Sequence, residues 1–423
     1  MTKRVTLEVS DYALDLGRPL GSGAYSDVFP HSTNPSRVLK VLRGEADVQK
    51  LRWLKSVSLT PSDPEHDYAL PGDLAIDSEG RVVGYAMPAA PTGALDLEYV
   101  LGASGWLPMS YLIRVARNHA RSVADLHRAG LVRGDLPNSL VTDAGAVFEV
   151  DLDSVACYEN GLNYSCNTGK WEYAAPELIP VLESCNFRSM TGHDVWALGV
   201  VIFQLVMAGV HPFDCHWLGA GDRPKLTERV QSGLWPYGRR HADVEPKRDA
   251  PDYDQLPSEL RQLFGRLFDR GALAPEKRPD IEDVVDVLDA LDTGDDVTLS
   301  PEAWEVVRIG GGPPARRHSR SDVSRLEKPL AAASLLAAGA AAVWSGVVSA
   351  PVAPVGVVSE LFSGPNFVSG SGQSPRDNLG EEQWLSSVSS STPPPFPVHL
   401  YELEAAASGE TPTLWQILRR RTR

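Results

Sequence analysis

An α+β fold in two lobes, β-rich first and helical second, is predicted for roughly residues 10–293. Three observations carry it. Short apolar, β-branched pieces come early, at Val5 to Val9, Arg37 to Leu42 and Arg81 to Met87, whereas helical periodicities dominate later. A composition of 43% hydrophobic and 8% aromatic residues over 423 positions suits a large packed core and excludes wholesale disorder. Beyond Gly310 the chain turns to Gly, Pro, Ser and Arg, which sets the far limit of the folded part.

In order along the chain, the three early strands are followed by Leu112 to Ala129, which puts Leu112, Val115, Ala116, His119, Val123 and Leu126 near one helical face. Val195 to Met207 is apolar all round, as a buried helix is. Asp280 to Leu291 closes the region as an amphipathic helix with its acids outward. Residues 294–329 read as a linker, basic near its end, and 351–423 as a Pro/Ser/Gly-rich, mostly unstructured C-terminal tail.

Forty Lys plus Arg against 55 Asp plus Glu give a net charge of −15, which argues against a protein that coats nucleic acid. The four cysteines form no CxxC pair, so neither a disulfide scaffold nor a zinc ribbon is signalled. The N-terminal MTKRVTLEVSDYALDL lacks the apolar core of a secretory signal, and the first domain is expected in the cytoplasm.

The chemistry-bearing motifs follow one another in a specific order. Leu20 to Val28 (LGSGAYSDV) is a strand, a glycine turn and a return strand, in which Gly21, Ser22 and Gly23 can bring backbone N–H groups close to phosphates. Lys40 stands in the middle of an apolar strand, where an ammonium is costly unless an anion awaits it. Then come Val132-Arg133-Gly134-Asp135-Leu136 with Pro137 and Asn138, Val150-Asp151-Leu152-Asp153, Ala175-Pro176-Glu177, His193-Asp194-Val195-Trp196 and Lys277-Arg278-Pro279.

With these motifs in this order, residues 10–293 resemble the protein-kinase superfamily, in particular its divergent bacterial eukaryotic-like (Hanks-type) serine/threonine branch. The resemblance implies a bilobal kinase-like fold and an ATP- and Mg²⁺-dependent transfer to Ser/Thr hydroxyls of proteins. By the same likeness, Gly21, Ser22 and Gly23 would cover the nucleotide phosphates, Val28, Val38, Met87 and Ala90 would line the adenine slot, and Lys40 would neutralise the α and β phosphates. Asp135 would take the hydroxyl proton, and Asp151 with Asn138 would hold the metal. Glu177 and Arg278 would pair beneath the activation segment, and Asp194 would tie down the catalytic-loop backbone.

The departures from the family pattern are specific. The metal-binding Asn usually lies five residues after the catalytic Asp, but Asn138 lies three after Asp135, and position 140 is Leu. Either Asn138 reaches the metal through a tightened loop or Asp153 compensates. Pro137 stands where a lysine is usual, Lys170 where a threonine is usual, and Gly134 where an arginine awaits an activation-loop phosphate. Modification of Ser165 or Thr168 is therefore not expected to be needed for activity. Glu45 and Asp47 are both candidates for the helix-C acid. A pseudokinase or nucleotide-binding scaffold is the alternative function, motivated by the short loop and the missing lysine. A small-molecule phosphotransferase fits the Glu177, Asp194, Trp196 and Arg278 set less well.

Residues 330–350 are long enough to cross a bilayer as a helix, yet rich in Ala, Gly and Ser. Arg316, Arg317, Arg320, Arg325 and Lys328 precede them, as a single-pass anchor with a cytoplasmic kinase domain requires. An Ala-rich linker is the other reading.

Overall fold

The computed structural model describes residues 4–9, 13–23, 25–158, 161–166, 169–184, 188–238 and 240–310. The first lobe is built from β1 (Arg4–Leu7), β2 (Ala13–Asp15), β3 (Gly21–Ser22), β4 (Ser26–Pro30), β5 (Arg37–Leu42), helix α1 (Val48–Ser56), β6 (His66–Tyr68), β7 (Leu74–Ile76) and β8 (Val82–Pro88). Seven of these strands form an antiparallel sheet in the order β2-β1-β7-β8-β5-β4-β3.

Strand β5 lies between β4 and β8, with Lys40 opposite Val28 on one side and Tyr85 on the other. Successive side chains of a strand point to opposite faces. Leu39 and Val41 accordingly join the cluster of Val5, Leu7, Ala75 and Ala86, while Val38 and Leu42 join Leu51, Tyr85 and Met87. Lys40 shares the face of Val38, which looks toward the second lobe. Gly84 on β8 must be glycine, because a Cβ there would sit 2.0 Å from the Lys40 carbonyl oxygen and push the lysine strand away.

The second lobe contains β9 (Leu95–Asp96), α2 (Leu97–Ala103), α3 (Met109–Arg128), β10 (Ser139–Val141), β11 (Val147–Glu149), α4 (Thr191–Val206), β12 (Cys215–Trp217), α5 (Leu226–Gln231), β13 (Val244–Pro246), α6 (Ser258–Phe264), α7 (Ile281–Leu291) and α8 (Pro301–Arg308). Helix α4 is buried nearly all round. Its Phe203 stacks edge-on against Trp235, Phe264 and Phe268, and its Trp196 against Phe268. A fully buried Phe of this kind contributes about 3–5 kcal/mol, the cost of cutting it back to Ala. The opposite flank of α3 is cationic. Arg117 and Arg121 both hold Asp63 and Asp289, and Arg114 reaches Glu65 and Asp292. These pairs fasten the segment leading into β6 onto α3 and α7. Strand β6 itself pairs in parallel with β11, in the order β6-β11-β10-β9.

The folded region is wider than residues 10–293 at both ends. Strand β1 precedes residue 10 and supplies Val5 and Leu7 to the sheet core. Within the expected linker 294–329, Leu299, Ala303 and Val307 are buried against the main core, and the Trp304 indole donates to the Gly93 carbonyl at 2.9 Å. Among the described residues no helix is long and apolar enough to cross a membrane. The stretch 330–350 and the tail 351–423 lie outside the described residues.

Candidate active site

Lys40 is 5% exposed, and its Nζ lies 2.8 Å from Asp151 Oδ1 and 2.6 Å from Asp153 Oδ1. Burial opposes its charge, but Asp151, Tyr85 and Asp153 outweigh that and hold the ammonium well above its ordinary value. Lys40 in turn draws the Asp151 carboxyl below its usual range. Asp151 follows β11 in the left-handed region, φ 58°, and the fully buried Leu152 anchors the turn. The Asp151 side chain keeps 51% of its surface exposed against 21% for Asp153. Of the two carboxylates, Asp151 is thus the one open to a metal, and Asp153 is the inner partner of Lys40.

Neither expected helix-C acid reaches Lys40. Glu45 is exposed, and Asp47 caps α1 by accepting from the Lys50 N–H at 3.0 Å. Helix α1 (VQKLRWLKS) contains no acid at all. Its buried Lys50 points elsewhere, with Nζ 3.5 Å from the Ser165 carbonyl. Desolvation pulls the Lys50 ammonium below its ordinary value.

On the same face of the sheet, Val38 and Met87 pack in one cluster with Val28, Ala89, Ala90, Leu140 and Val150. The residues expected around adenine are therefore together, with Leu140 and Val150 joining them from the second lobe. The glycine turn is closed by Gly23 N–H donating to the Ser26 carbonyl at 2.8 Å. Arg43, which the sequence reading left aside, bonds the Ser22 hydroxyl at 2.6 Å and Asp27 at 2.8 Å, and this braces the turn against β4 and the end of β5.

The loop from α3 to β10 carries Asp135. Its backbone is fixed by Asp194, whose two carboxylate oxygens accept from the N–H groups of Arg133 and Gly134 at 2.7 and 2.8 Å, with His127 Nε2 at 2.8 Å. The Arg133 guanidinium is fully buried. It pairs with Glu149 at 3.4 Å and donates to the carbonyls of Val150 at 2.6 Å and Asn138 at 3.2 Å. One side chain thus ties the Asp135 loop to the residue before Asp151. Burial raises the Asp135 carboxyl above its usual value, opposed by Arg133 and Lys170. The Asn138 amide donates to the Asp135 carbonyl at 3.2 Å, and its own carbonyl accepts from Val150 N–H at 3.2 Å. The Asn138 side chain is thus bonded to the Asp135 backbone, and its backbone carbonyl to Val150, the residue before Asp151. Among the described residues no three His, Cys, Asp or Glu side chains form a ready-made metal cage.

Gly134 adopts φ +73°, and a Cβ there would lie 2.6 Å from Cys166 Cβ and Sγ. The buried cysteine of the activation segment fills the space an arginine would need. Thr168 lies outside the described residues. Further along, Arg278 holds Glu177 through two bonds of 2.7 Å, stacks on Trp196 at 4.9 Å and is 8% exposed. Burial works against the Glu177 carboxylate, but the bonds from Arg278 and His193 bring it down to about 2.

Several curated proteins are similar to this chain. Protein kinase YegI of Escherichia coli (strain K12) is 25% identical over 275 residues, 61% of this chain and 42% of the relative. Serine/threonine-protein kinase SBK1 of Mus musculus is 26% identical over 297 residues, 66% of this chain and 64% of the relative. Serine/threonine-protein kinase AfsK of Streptomyces griseus is 24% identical over 263 residues, 59% of this chain and 29% of the relative. Over about 60% of its length the chain is thus similar to proteins named as protein kinases, at 24–26% identity. Its match spans less than half the length of YegI. No protein-family model matches it. In this kinase-like frame Asp153 stands out as the residue whose contact with Lys40 the sequence reading did not foresee. The signal was the second acid of Asp151-Leu152-Asp153, read there only as a possible metal ligand.

Proposed function

We propose that the chain is an ATP- and Mg²⁺-dependent protein kinase of bacterial signalling, acting in the cytoplasm on Ser or Thr hydroxyls. The observation that carries this reading is Lys40, drawn 111 residues across the sequence to Asp151 beside an apolar slot of Val28, Val38, Met87 and Ala90.

In this reading the slot takes the adenine ring and excludes water from it. Lys40 faces the α and β phosphates. The exposed half of Asp151, with Asn138 beside it, suits a hard cation that prefers oxygen ligands. Mg²⁺ bound there supplies neutralisation of the triphosphate charge. Asp135 orients the acceptor hydroxyl, whose oxygen forms a bond to the γ-phosphorus as the bond to the bridging oxygen breaks. ADP leaves with that electron pair, and the hydroxyl proton goes to Asp135. A protein substrate is favoured by the Glu177–Arg278 pair under the activation segment, which in the family supports a peptide platform.

The pseudokinase reading rests on the short Asp135–Asn138 loop, the lysine missing at Pro137 and the Asn138 amide turned back onto the Asp135 carbonyl. Two variants separate the readings. Asp151→Asn should abolish Mg²⁺-dependent ATP binding, whereas Asp135→Asn should spare binding and remove transfer to a generic peptide. Equal loss of binding in both variants would contradict these roles, and a parent that binds ATP without transfer would select the scaffold.

A further inference from the structure

From Gly134 to Leu140 the loop around Asp135 carries no cationic side chain. Pro137 occupies the position two residues after Asp135, and Asp135, Asp151 and Asp153 already crowd the cleft before three phosphates enter it. Lys40 is assigned to the α and β phosphates and is bonded to Asp151 and Asp153. Arg133 is sealed beneath the loop, bound to Glu149 and two carbonyls.

Lys170 approaches from the opposite wall. The turn Trp171–Tyr173 begins directly after it, with Tyr173 N–H donating to the Lys170 carbonyl at 3.1 Å. Its side chain is 18% exposed, and the residue borders one small cleft with Gly134 and Leu136, the two neighbours of Asp135. The ammonium is bonded to Glu98 in the first turn of α2. That turn follows Asp96, which pairs with Leu140 at the exit of the catalytic loop. The Glu98 tether therefore holds the cation over the loop.

We propose that Lys170 is a catalytic residue that contacts the transferring γ-phosphoryl group, replacing from the activation segment the lysine that Pro137 removes from the catalytic loop. This rests on the kinase reading above. The bond changes are those already given. Lys170 donates no atom to them and offsets the charge spread over the equatorial phosphoryl oxygens. Glu98 holds the ammonium until the more highly charged γ-phosphate competes for it.

A γ-phosphate contact makes ATP bind better than ADP, which gives a readout besides turnover. On the full chain with Mg²⁺, calorimetric affinities for ATP and ADP and the single-turnover rate are measured for the parent, Lys170→Met, Lys170→Arg and Glu98→Gln, with melting curves to confirm folding. Lys170→Met should cut the preference for ATP over ADP and the single-turnover rate by about 10- to 100-fold while leaving ADP affinity unchanged. Lys170→Arg should recover most of both, and Glu98→Gln should keep the ATP preference. Parent-like ratios and rates in Lys170→Met would overturn the inference and leave the kinase reading standing. An equal fall in ATP and ADP affinity in all three variants would reduce Lys170 to a structural strut and overturn it as well. A parent that binds no ATP would overturn the kinase reading itself.

Discussion

Cutting Arg133 back to Met should be among the most damaging single substitutions in the protein, and the size of the effect follows from its surroundings. Both Arg133 and Glu149 have side chains with no exposed surface. Glu149 would keep its bonds from the Ser122 and Ser139 hydroxyls at 2.6 and 3.0 Å but lose its cation. The neighbouring His119 is no substitute, because burial lowers its pKa and keeps it neutral. Breaking one side of a buried pair costs roughly 3–5 kcal/mol. The Val150 carbonyl, losing its 2.6 Å donor, adds about 1–3 kcal/mol. Against a typical stability of about 5–15 kcal/mol, Arg133→Met should stand near the edge of folding. Glu149→Gln, which leaves the guanidinium its two carbonyls, should cost less. The double variant Arg133→Met/Glu149→Gln buries no charge, so its loss should fall short of the summed single losses by at least about 2 kcal/mol. Urea titrations of the four proteins measure this coupling. Additive losses, within about 0.5 kcal/mol, would refute the view that the pair works as one unit.

Two further outcomes are expected. Asp153→Ala leaves Lys40 to Asp151 alone, so the lysine competes harder with the metal, and the Mg²⁺ concentration giving half-maximal ATP binding should rise several-fold; an unchanged midpoint in a fluorescent-nucleotide titration would count against the inner role of Asp153. Burial lowers the pKa of His211 to about 4. Its Nε2 donates to the Glu172 carbonyl at 2.9 Å, and its Nδ1 accepts from Phe213 N–H at 3.1 Å, an arrangement only the neutral ring can make. The unfolded ring therefore binds its proton first as pH falls. The contribution is fully present above about pH 6.5 and is lost on descending to about 4, up to roughly 3 kcal/mol. Denaturation midpoints of the parent and His211→Asn across that window should converge at its acid end.

Much of the frame was legible because it rests on local patterns. The strand Arg37–Leu42 and helices α3, α4 and α7 follow from their own periodicities, and the order of the motifs around Lys40, Asp135 and Asp151 carried the resemblance to protein kinases. What stayed hidden depends on contacts distant in sequence. Nothing near Gly134 announces that Cys166 will fill the place beside it, and nothing near Lys40 announces Asp153. Helix α8 was legible in principle. Ser300 followed by Pro301 is a helix start, and Leu299, Ala303 and Val307 recur at helical spacing, but the polar run Asp292 to Asp296 before them reads as the end of the domain.

The absence of any acid from helix α1 bears on how this molecule can be governed. A signal acting through a mobile element gains leverage equal to the difference in free energy that the element's two positions impose on the site. Where a helix carries the carboxylate for the phosphate-facing lysine, swinging it outward charges the site the full cost of an orphaned ammonium. Here both carboxylates of Lys40 come from the strand-to-turn segment after β11, so displacing α1 leaves that ammonium paired and the lever has no load. The same displacement would strain the Lys50 contact with the Ser165 carbonyl. Pressure on α1 is therefore transmitted toward the segment around Ser165 rather than toward Lys40.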